Sequence, residues 1–349
     1  MTDALQGDAH IGSEVADATL GRRSATAAPL VAVVTPTYNG ADYLREVMDC
    51  VQAQTYPNLV HVVLDNCSTD ATSEIIASYA NATVPIITAR NPELLPLNAN
   101  WNAALQLAPQ DAAYVRLICH DDLMTPDSIE RMVDVAERNP SVGVVVCDVR
   151  KFDEDSDYED VTVTQWPADV ETASGQDATR RYFRNERVII SNQVMFRKSA
   201  MAVRGREFYA EDIAGSDYDA VLAVLAKFDL GVVHAPAALT RLHGRSETST
   251  FQTTWKFTDL EWFLAMSRHG PSAYTEAEWR ELFGRYKRRY LRRMFRWRFS
   301  AQGRQVIRRH MELIRSRGLR ISALDHVIAV ADGIPVKLGL KPGWRSFPW

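Results

Sequence analysis

Residues 113–132, AYVRLICHDDLMTPDSIERM, contain the alternation on which the fold rests. From Ala113 to Cys119 the chain is apolar or β-favouring apart from Arg116, as a strand buried in a sheet would be. His120 and two adjacent carboxylates, Asp121 and Asp122, follow at once. Thr125 as cap, Pro126, and Asp127 in the first turn then open a helix that ends near Asn139-Pro140. Repulsion and desolvation both oppose two like charges at the end of a buried strand. Something positive must therefore meet them.

The same strand-then-helix pattern extends outward in both directions. Upstream, strands are expected at 30–34, 59–65 and 84–89, with helices at 41–54, from Asp70 and Glu74 through Tyr79, and at 98–108. Downstream, 142–148 is a fifth strand. Strands and helices at this interval imply right-handed crossovers and a mostly parallel sheet flanked by helices. Ligands of such sheets bind beyond the carboxyl ends of the strands. Three polar clusters fall there, Thr35–Asn39, Asp65–Asp70 and Asp121–Asp122, and should converge on one crevice.

Past residue 150 the acidic run 153–160 reads as a solvated hairpin or loop, and 192–198 as a strand. Residues 216–228 form an amphipathic helix with Asp217 and Asp219 in its first turn; Asp219 is expected to support that helix. A strand at 230–236 and a polar loop at 240–249 follow. After about 252 the chain becomes helical, and from Arg285 to Arg320 basic residues crowd among aromatic and aliphatic ones. This is a C-terminal helical appendage with its own electrostatic character.

The 349 residues are 46% hydrophobic and 24% charged with formal net charge −4, an ordinary globular profile. No apolar stretch is long enough to span a bilayer. Residues 1–28 are polar and without periodicity, and read as a disordered leader. Arg22-Arg23 faintly suggests an export signal, but the LVAVV run is short and enters a polar turn, as a first strand does. Cys50, Cys67, Cys119 and Cys147 lack metal-ligand spacing and read as reduced, packed thiols of a cytoplasmic protein.

Adjacent carboxylates at a strand end are poorly placed to flank a glycosidic bond, which needs them roughly 5 to 9 Å apart across the substrate. They suit a hard divalent cation, Mg²⁺ or Mn²⁺, which takes one or two carboxylates and completes its shell with water and substrate phosphates. The chain contains neither GxxxxGK[ST] nor GxGxxG, which removes the usual nucleotide-binding loops.

Four ordered segments carry a family resemblance: VVTPTYNGADYL (33–44), QTYPNLVHVVLDNCSTDAT (54–72), NANWNAALQLAPQDAAYVRLICHDDLMTPDSIERM (98–132) and SDYDAVLAVLAKFDLGVVHAPAALTRLHGRSETS (216–249). Together they resemble the inverting family 2 glycosyltransferases of GT-A fold. The resemblance implies a GT-A catalytic domain over 29–250 and a basic helical region over 251–349. It implies that Thr35, Pro36, Tyr38, Asp65 and Asn66 hold the nucleotide of a nucleotide-diphosphate sugar donor, UDP- or dTDP-linked. Asp121 and Asp122 would bind ribose and metal, with Cys119 standing where the family has its first Asp. His243 would join the metal and Arg241 the diphosphate. Asp217 would be the general base, with Ser216 in place of the family's usual Glu. The expected acceptor is a glycan or lipid-linked hydroxyl in bacterial surface polysaccharide assembly.

Arginines with interleaved aromatics over 285–320 suggest attachment to an anionic membrane surface, placing the protein peripherally on the inner face of the plasma membrane. Nucleic acid is not an expected partner. The competing reading is a degenerate sugar-nucleotide-binding module whose tail binds membrane, nucleic acid or another protein; the intact Asp121, Asp122 and Asp217 argue against it.

Overall fold

The computed structural model describes residues 28–153, 159–162, 164–186, 194–211, 215–243 and 255–337. The leader up to residue 27, the middle of the acidic run and the 244–249 part of the polar loop lie outside the described residues.

One ten-stranded sheet organises the chain, in the order β3-β2-β1-β4-β9-β6-β10-β5, with β7 beside β6 and β8 beside β10. In its first half β1 (Val31–Thr37) pairs in parallel with β2 (Leu59–Asp65) and β4 (Tyr114–Leu117), and β3 (Ile86–Arg90) pairs in parallel with β2. All three central strands are buried throughout. Their near-continuous Val and Leu content is what burial on both faces demands. The crossovers are α1 (Leu44–Gln52), α2 (Thr72–Ala77) and α3 (Leu97–Gln106). Leu44, Val47, Met48 and Val51 recur at helical spacing and form the buried face of α1.

The second half is mixed rather than mostly parallel. It comprises β5 (Leu123–Met124), α4 (Ser128–Arg138), β6 (Val142–Asp153), β7 (Glu159–Thr162), β8 (Thr172–Ala173), α5 (Gly175–Phe183), β9 (Met195–Arg197), α6 (Ser216–Leu225) and β10 (Asp229–Leu242). The short β9 enters antiparallel between β4 and β6. It follows α5 in the chain and runs antiparallel to both neighbours, so it is not the closing strand of a parallel βαβ unit. β7 folds back on β6, so the flanks of the acidic run form the expected hairpin.

The expected end of the last strand needs correction. β10 continues to Leu242, so Thr240–Leu242 are strand and not loop. Its parallel pairing with β6 slips around Pro236, which has no N–H to donate, and resumes from Ala238 opposite Val149 to Leu242 opposite Asp153. This extension carries Arg241 and His243 back over the strand exits.

The C-terminal region is helical, as expected: α7 (Phe257–Ala273), α8 (Glu276–Trp297), α9 (Ala301–Ser316) and α10 (Ala323–Lys337). Leu260, Phe263, Met266, Tyr286, Tyr290 and Met294 share one hydrophobic cluster with Val144, Phe196, Leu222 and Val232 of the sheet and α6. Much of the basic character is spent internally. Arg289 and Arg293 pair with Asp259, Arg288 and Arg292 with Asp332, and Lys287 with Asp325.

Asp219 does more than support its own helix. Its buried carboxylate accepts from Arg204, from Arg268 Nη1 at 2.7 Å and from His269 Nε2 at 2.7 Å, tying α6 to α7. Burial alone would raise this carboxyl, but the His269 hydrogen bond and the arginines hold it below the usual range. Removing one member of such a network strands the opposite charges. Asp219→Ala should therefore lower the unfolding free energy by about 3 kcal/mol in urea titrations, with Asp219→Asn intermediate.

Candidate active site at the strand exits

The exits of β1, β2 and β4 converge, and two tight turns join the first two. Asn39 and Cys67 both adopt positive φ, at 46° and 62°. Asn39 donates its N–H to Ser68 Oγ at 2.9 Å, and its Oδ1 accepts from Thr69 N at 2.8 Å. At Gly40 the chain leaves for α1 so close to β4 that a Cβ would stand 2.5 Å from Thr37 Oγ1 and 3.0 Å from the His120 ring.

Of the residues expected around the nucleotide, several face inward. Thr35 is fully buried and its hydroxyl pairs with His61 Nε2 at 2.9 Å inside the sheet, so it is not brought to the cleft. Thr37, one alternation onward, is the threonine at the exit. Tyr38 is 40% exposed at the rim. Asp65 accepts from Ser68 N and Ser73 Oγ, each at 2.8 Å, and from Arg90. Burial pushes that carboxyl up, but the Ser68 and Ser73 hydrogen bonds and Arg90 hold it below its ordinary value. Asn66 donates to Leu95 O at 2.9 Å and accepts from Leu95 N and Asn91 Nδ2. Both side chains thus shape the wall, using the polar atoms expected to meet a base.

Side chains of α3 link this wall to the next. Asn98, Asn100 and Asn102 are buried despite their poor helix propensity. Asn100 Oδ1 accepts from Asn91, Asn98 Oδ1 from Ser216 Oγ at 2.8 Å, and Asn102 exchanges two hydrogen bonds with the Tyr209 backbone.

Asp121 and Asp122 stand together beyond β4. Their carboxylate oxygens and Cys119 Sγ all lie within 4.8 Å of one another. The counter-charge comes from β10. Arg241 donates its backbone N–H to Asp122 Oδ1 at 3.2 Å and its Nε–H to the Asp121 carbonyl at 3.1 Å. Its guanidinium reaches Glu46 at 2.8 Å and lies over the Tyr43 and Phe152 rings at 4.5 and 4.9 Å. Arg241 is buried, so it braces the carboxylate turn instead of extending toward a diphosphate. His243 Nε2 meets Asp121 Oδ2 at 3.0 Å. The donor set suits a hard cation: two carboxylates and an imidazole converge. Burial, and then the charges of Asp121, Asp122 and Asp217, keep the Cys119 thiol protonated, so it contributes no ready thiolate.

Asp217, in the first turn of α6, faces this cluster closely enough to act on Cys119. Burial raises its carboxyl to about 6, opposed by the backbone N–H groups of Tyr218 and of Asp217 itself. Glu261 of α7, which sequence reasoning missed, is raised to about 8 by burial and then by the charge of Asp217. Its only sequence signal is the small Gly215 opposite, where a Cβ would be 3.0 Å from the Glu261 carboxyl carbon.

Residues 32–209 match the family described as glycosyl transferase family 2. An uncharacterized glycosyltransferase of Rickettsia typhi is 31% identical over 134 residues, 38% of this chain and 40% of that protein. A putative teichuronic acid biosynthesis glycosyltransferase of Bacillus subtilis, TuaG, is 31% identical over 106 residues, 30% of this chain and 41% of that protein. The matches span about two fifths of those relatives. Among solved structures, S. aureus TarS 1-349 in complex with UDP-GlcNAc superposes with TM-score 0.62 at 14% identity, covering 90% of this chain and 93% of that one. The mannosyltransferase PcManGT of Pyrobaculum calidifontis, in complex with GDP-Man and Mn²⁺, gives TM-score 0.53 at 15% identity, covering 91% and 82%.

Proposed function

The chain belongs to glycosyl transferase family 2, and from that premise we propose that it is a metal-dependent, inverting transferase moving a sugar from a nucleoside diphosphate to a hydroxyl acceptor. The observation that carries this reading is the clustering of Asp121 and Asp122 beyond β4, with His243 against Asp121 and with Asp217, in the first turn of α6, acting electrostatically on Cys119 of the same cluster. Asp121, Asp122 and His243 would hold Mg²⁺ or Mn²⁺, which supplies counter-charge to the donor's diphosphate. Pro36, Thr37 and Tyr38 line the side where the nucleotide enters, with Asp65 and Asn66 fixing that wall. Asp217 takes the proton of the acceptor hydroxyl as its oxygen bonds to the anomeric carbon. The bond from that carbon to the diphosphate oxygen breaks, and the nucleoside diphosphate leaves with the electron pair. Attack from the face opposite the leaving group inverts the configuration.

The donor is proposed to carry UDP or dTDP. Similarity to a putative teichuronic acid enzyme supports an acceptor in surface polysaccharide assembly, glycan or lipid-linked.

A membrane surface is proposed as the second partner, with its position revised. The arginines of α8 that pair with Asp259 and Asp332 are committed to the protein. The exposed basic residues Arg296, Arg298, Arg304 and Arg308 lie at the end of α8 and along α9. Beyond them α10 packs Asp325, Ala329 and Asp332 inward and exposes Leu324, Val327, Ile328 and Ile334 as an uncharged stripe. Exposed arginines beside an apolar helix face suit an anionic leaflet, at about 1 kcal/mol per cation near the surface. Among the described residues no helix is long and apolar enough to cross a membrane.

A screen of nucleotide sugars for release of nucleoside diphosphate tests the activity. Asp122→Ala should abolish turnover and weaken binding of the nucleotide with Mn²⁺ in calorimetry; full turnover in excess EDTA would refute the metal.

Asp217→Asn should keep donor affinity within a few-fold and lower kcat by roughly 10² to 10⁴. Because the base works ionised and its carboxyl lies near 6, wild-type kcat should fall tenfold per unit below about pH 6. A flat acid limb would remove Asp217 from the chemistry.

On the membrane side, the protein should co-sediment with phosphatidylglycerol vesicles and not with phosphatidylcholine ones, with release toward 0.5 M salt. Val327→Glu with Ile334→Glu should abolish this. Equal sedimentation with both lipids, or none at low salt, would exclude the surface.

A further inference from the structure

One carboxyl at the cleft comes from outside the strand exits altogether. Glu261 stands in the second turn of α7, and its carboxylate lies against the residue that opens α6. A Cβ at Gly215 would be 3.0 Å from its Cδ and 3.3 Å from its Oε2, and Asp217 is two residues further along. One aromatic ring connects the two supports. Tyr182 of α5 packs at 6.5 Å from Tyr218, which follows Asp217, and at 4.6 Å from Trp262, which follows Glu261.

Glu261 is half-buried, yet among the described residues no hydrogen-bond donor or cation meets its carboxyl. The nearby arginines, Arg204 and Arg268, are turned to Asp219 instead. Two buried carboxylates elsewhere in this fold are well supplied: Asp65 has three partners and Asp219 has three. A half-buried carboxyl without partners costs stability, and retaining one beside the candidate base makes sense where the partner arrives with a ligand.

We propose that Glu261 is an acceptor-positioning residue, forming with Asp217 a carboxyl pair that grips two neighbouring hydroxyls of a sugar acceptor. The inference rests on the reading of Asp217 as the base. It names the acceptor chemistry: a vicinal diol, presented between α6 and α7. Two carboxyls held close share one proton over the neutral range. Burial, then the charge of Asp217, places Glu261 at about 8, whereas Asp217 lies at about 6. Around pH 7 the protonated Glu261 donates to one hydroxyl oxygen of the diol. The ionised Asp217 accepts from the adjacent hydroxyl, which becomes the nucleophile. The other titratable groups facing the pair are the phenols of Tyr182, Tyr209 and Tyr218 and the thiol of Cys119, all of which burial keeps protonated. The helical C-terminal region would thereby complete the acceptor side of the site.

Two measurements on the full chain test this. Carbon-13 titration of labelled carboxyls, assigned with Glu261→Gln, should place the Glu261 midpoint near 8. In Asp217→Asn it should fall by at least one unit, because the like charge is gone. An unmoved midpoint would show that the two carboxyls are not a pair and would overturn the proposal whether or not a donor is known. Initial rates with octyl glycosides of glucose, galactose, N-acetylglucosamine and rhamnose as acceptor probes should then show a split. Glu261→Ala should raise the acceptor KM tenfold or more with the donor KM unchanged, and Glu261→Gln, which keeps a donor group, should recover most of the loss. An unchanged acceptor KM, or equal losses for Ala and Gln, would also overturn it. If wild-type protein releases nucleotide from no donor, the glycosyltransferase reading has failed instead, and the titration alone decides the pairing.

Discussion

Two adjacent carboxylates can end a buried strand only if the fold delivers positive charge to the same point, and here the delivery falls to one strand from far along the chain. β10 runs past Pro236 after its pairing slips, and its last residues cross the exit of β4. The Arg241 backbone N–H and guanidinium hold the Asp121–Asp122 turn, and His243 holds the Asp121 carboxylate. Without that extension the turn would carry two partly desolvated like charges with no counter-charge. The buried guanidinium is itself kept in place by Glu46 and by two aromatic faces. The Asp121–Asp122 turn and the second half of the sheet are therefore one construction.

The acceptor side depends on a similar long-range tie. α3 has three buried asparagines where a helix would ordinarily bury aliphatics: Asn100 bonds Asn91, Asn98 bonds Ser216 and the Ala210 carbonyl, and Asn102 bonds the Tyr209 backbone. One of them reaches Ser216, immediately before Asp217, so the Asp65–Asn66 wall and α6 are set relative to each other through a single helix. α7 adds the third support, joined to α6 by the Asp219 network and by the shared aromatic core. The C-terminal helices are consequently part of the frame that orients the cleft.

What was legible in the sequence is what local pattern controls. The strand at 59–65 agrees residue for residue with β2, and the amphipathic spacing of Leu44, Val47, Met48 and Val51 marks the buried face of α1. The convergence of the strand exits followed from βα alternation alone. What stayed hidden depends on contacts between distant residues. Thr35 and Thr37 look equivalent in sequence, and only the proximity of His61 on the neighbouring strand decides that Thr35 turns inward. A proline and a polar run suggested that the last strand had ended, because a register slip that restores pairing leaves no local mark. Glu261 lies in a helix whose composition says nothing of the cleft, 44 residues after Asp217. The arginine-rich run gave the right net charge but not its destination, since Asp259, Asp325 and Asp332 are scattered singly along the chain.

The carboxyls divide by how completely the protein satisfies them, and that division follows the chemistry. Asp65 and Asp219 are buried, yet surrounding donors overcome the desolvation and hold each below its ordinary range. Both brace the fold, and their lowered carboxyls are ionised at neutral pH. Asp217 receives only backbone N–H groups of its own turn, and Glu261 receives none, so in both cases desolvation wins and the carboxyl rises. A base must be able to gain a proton near neutral pH, and a saturated carboxylate cannot do so. On the proposed reading of Asp217 as the base, the protein directs its hydrogen bonds toward the groups that hold the walls and withholds them from Asp217 and Glu261, the carboxyls an incoming hydroxyl would meet.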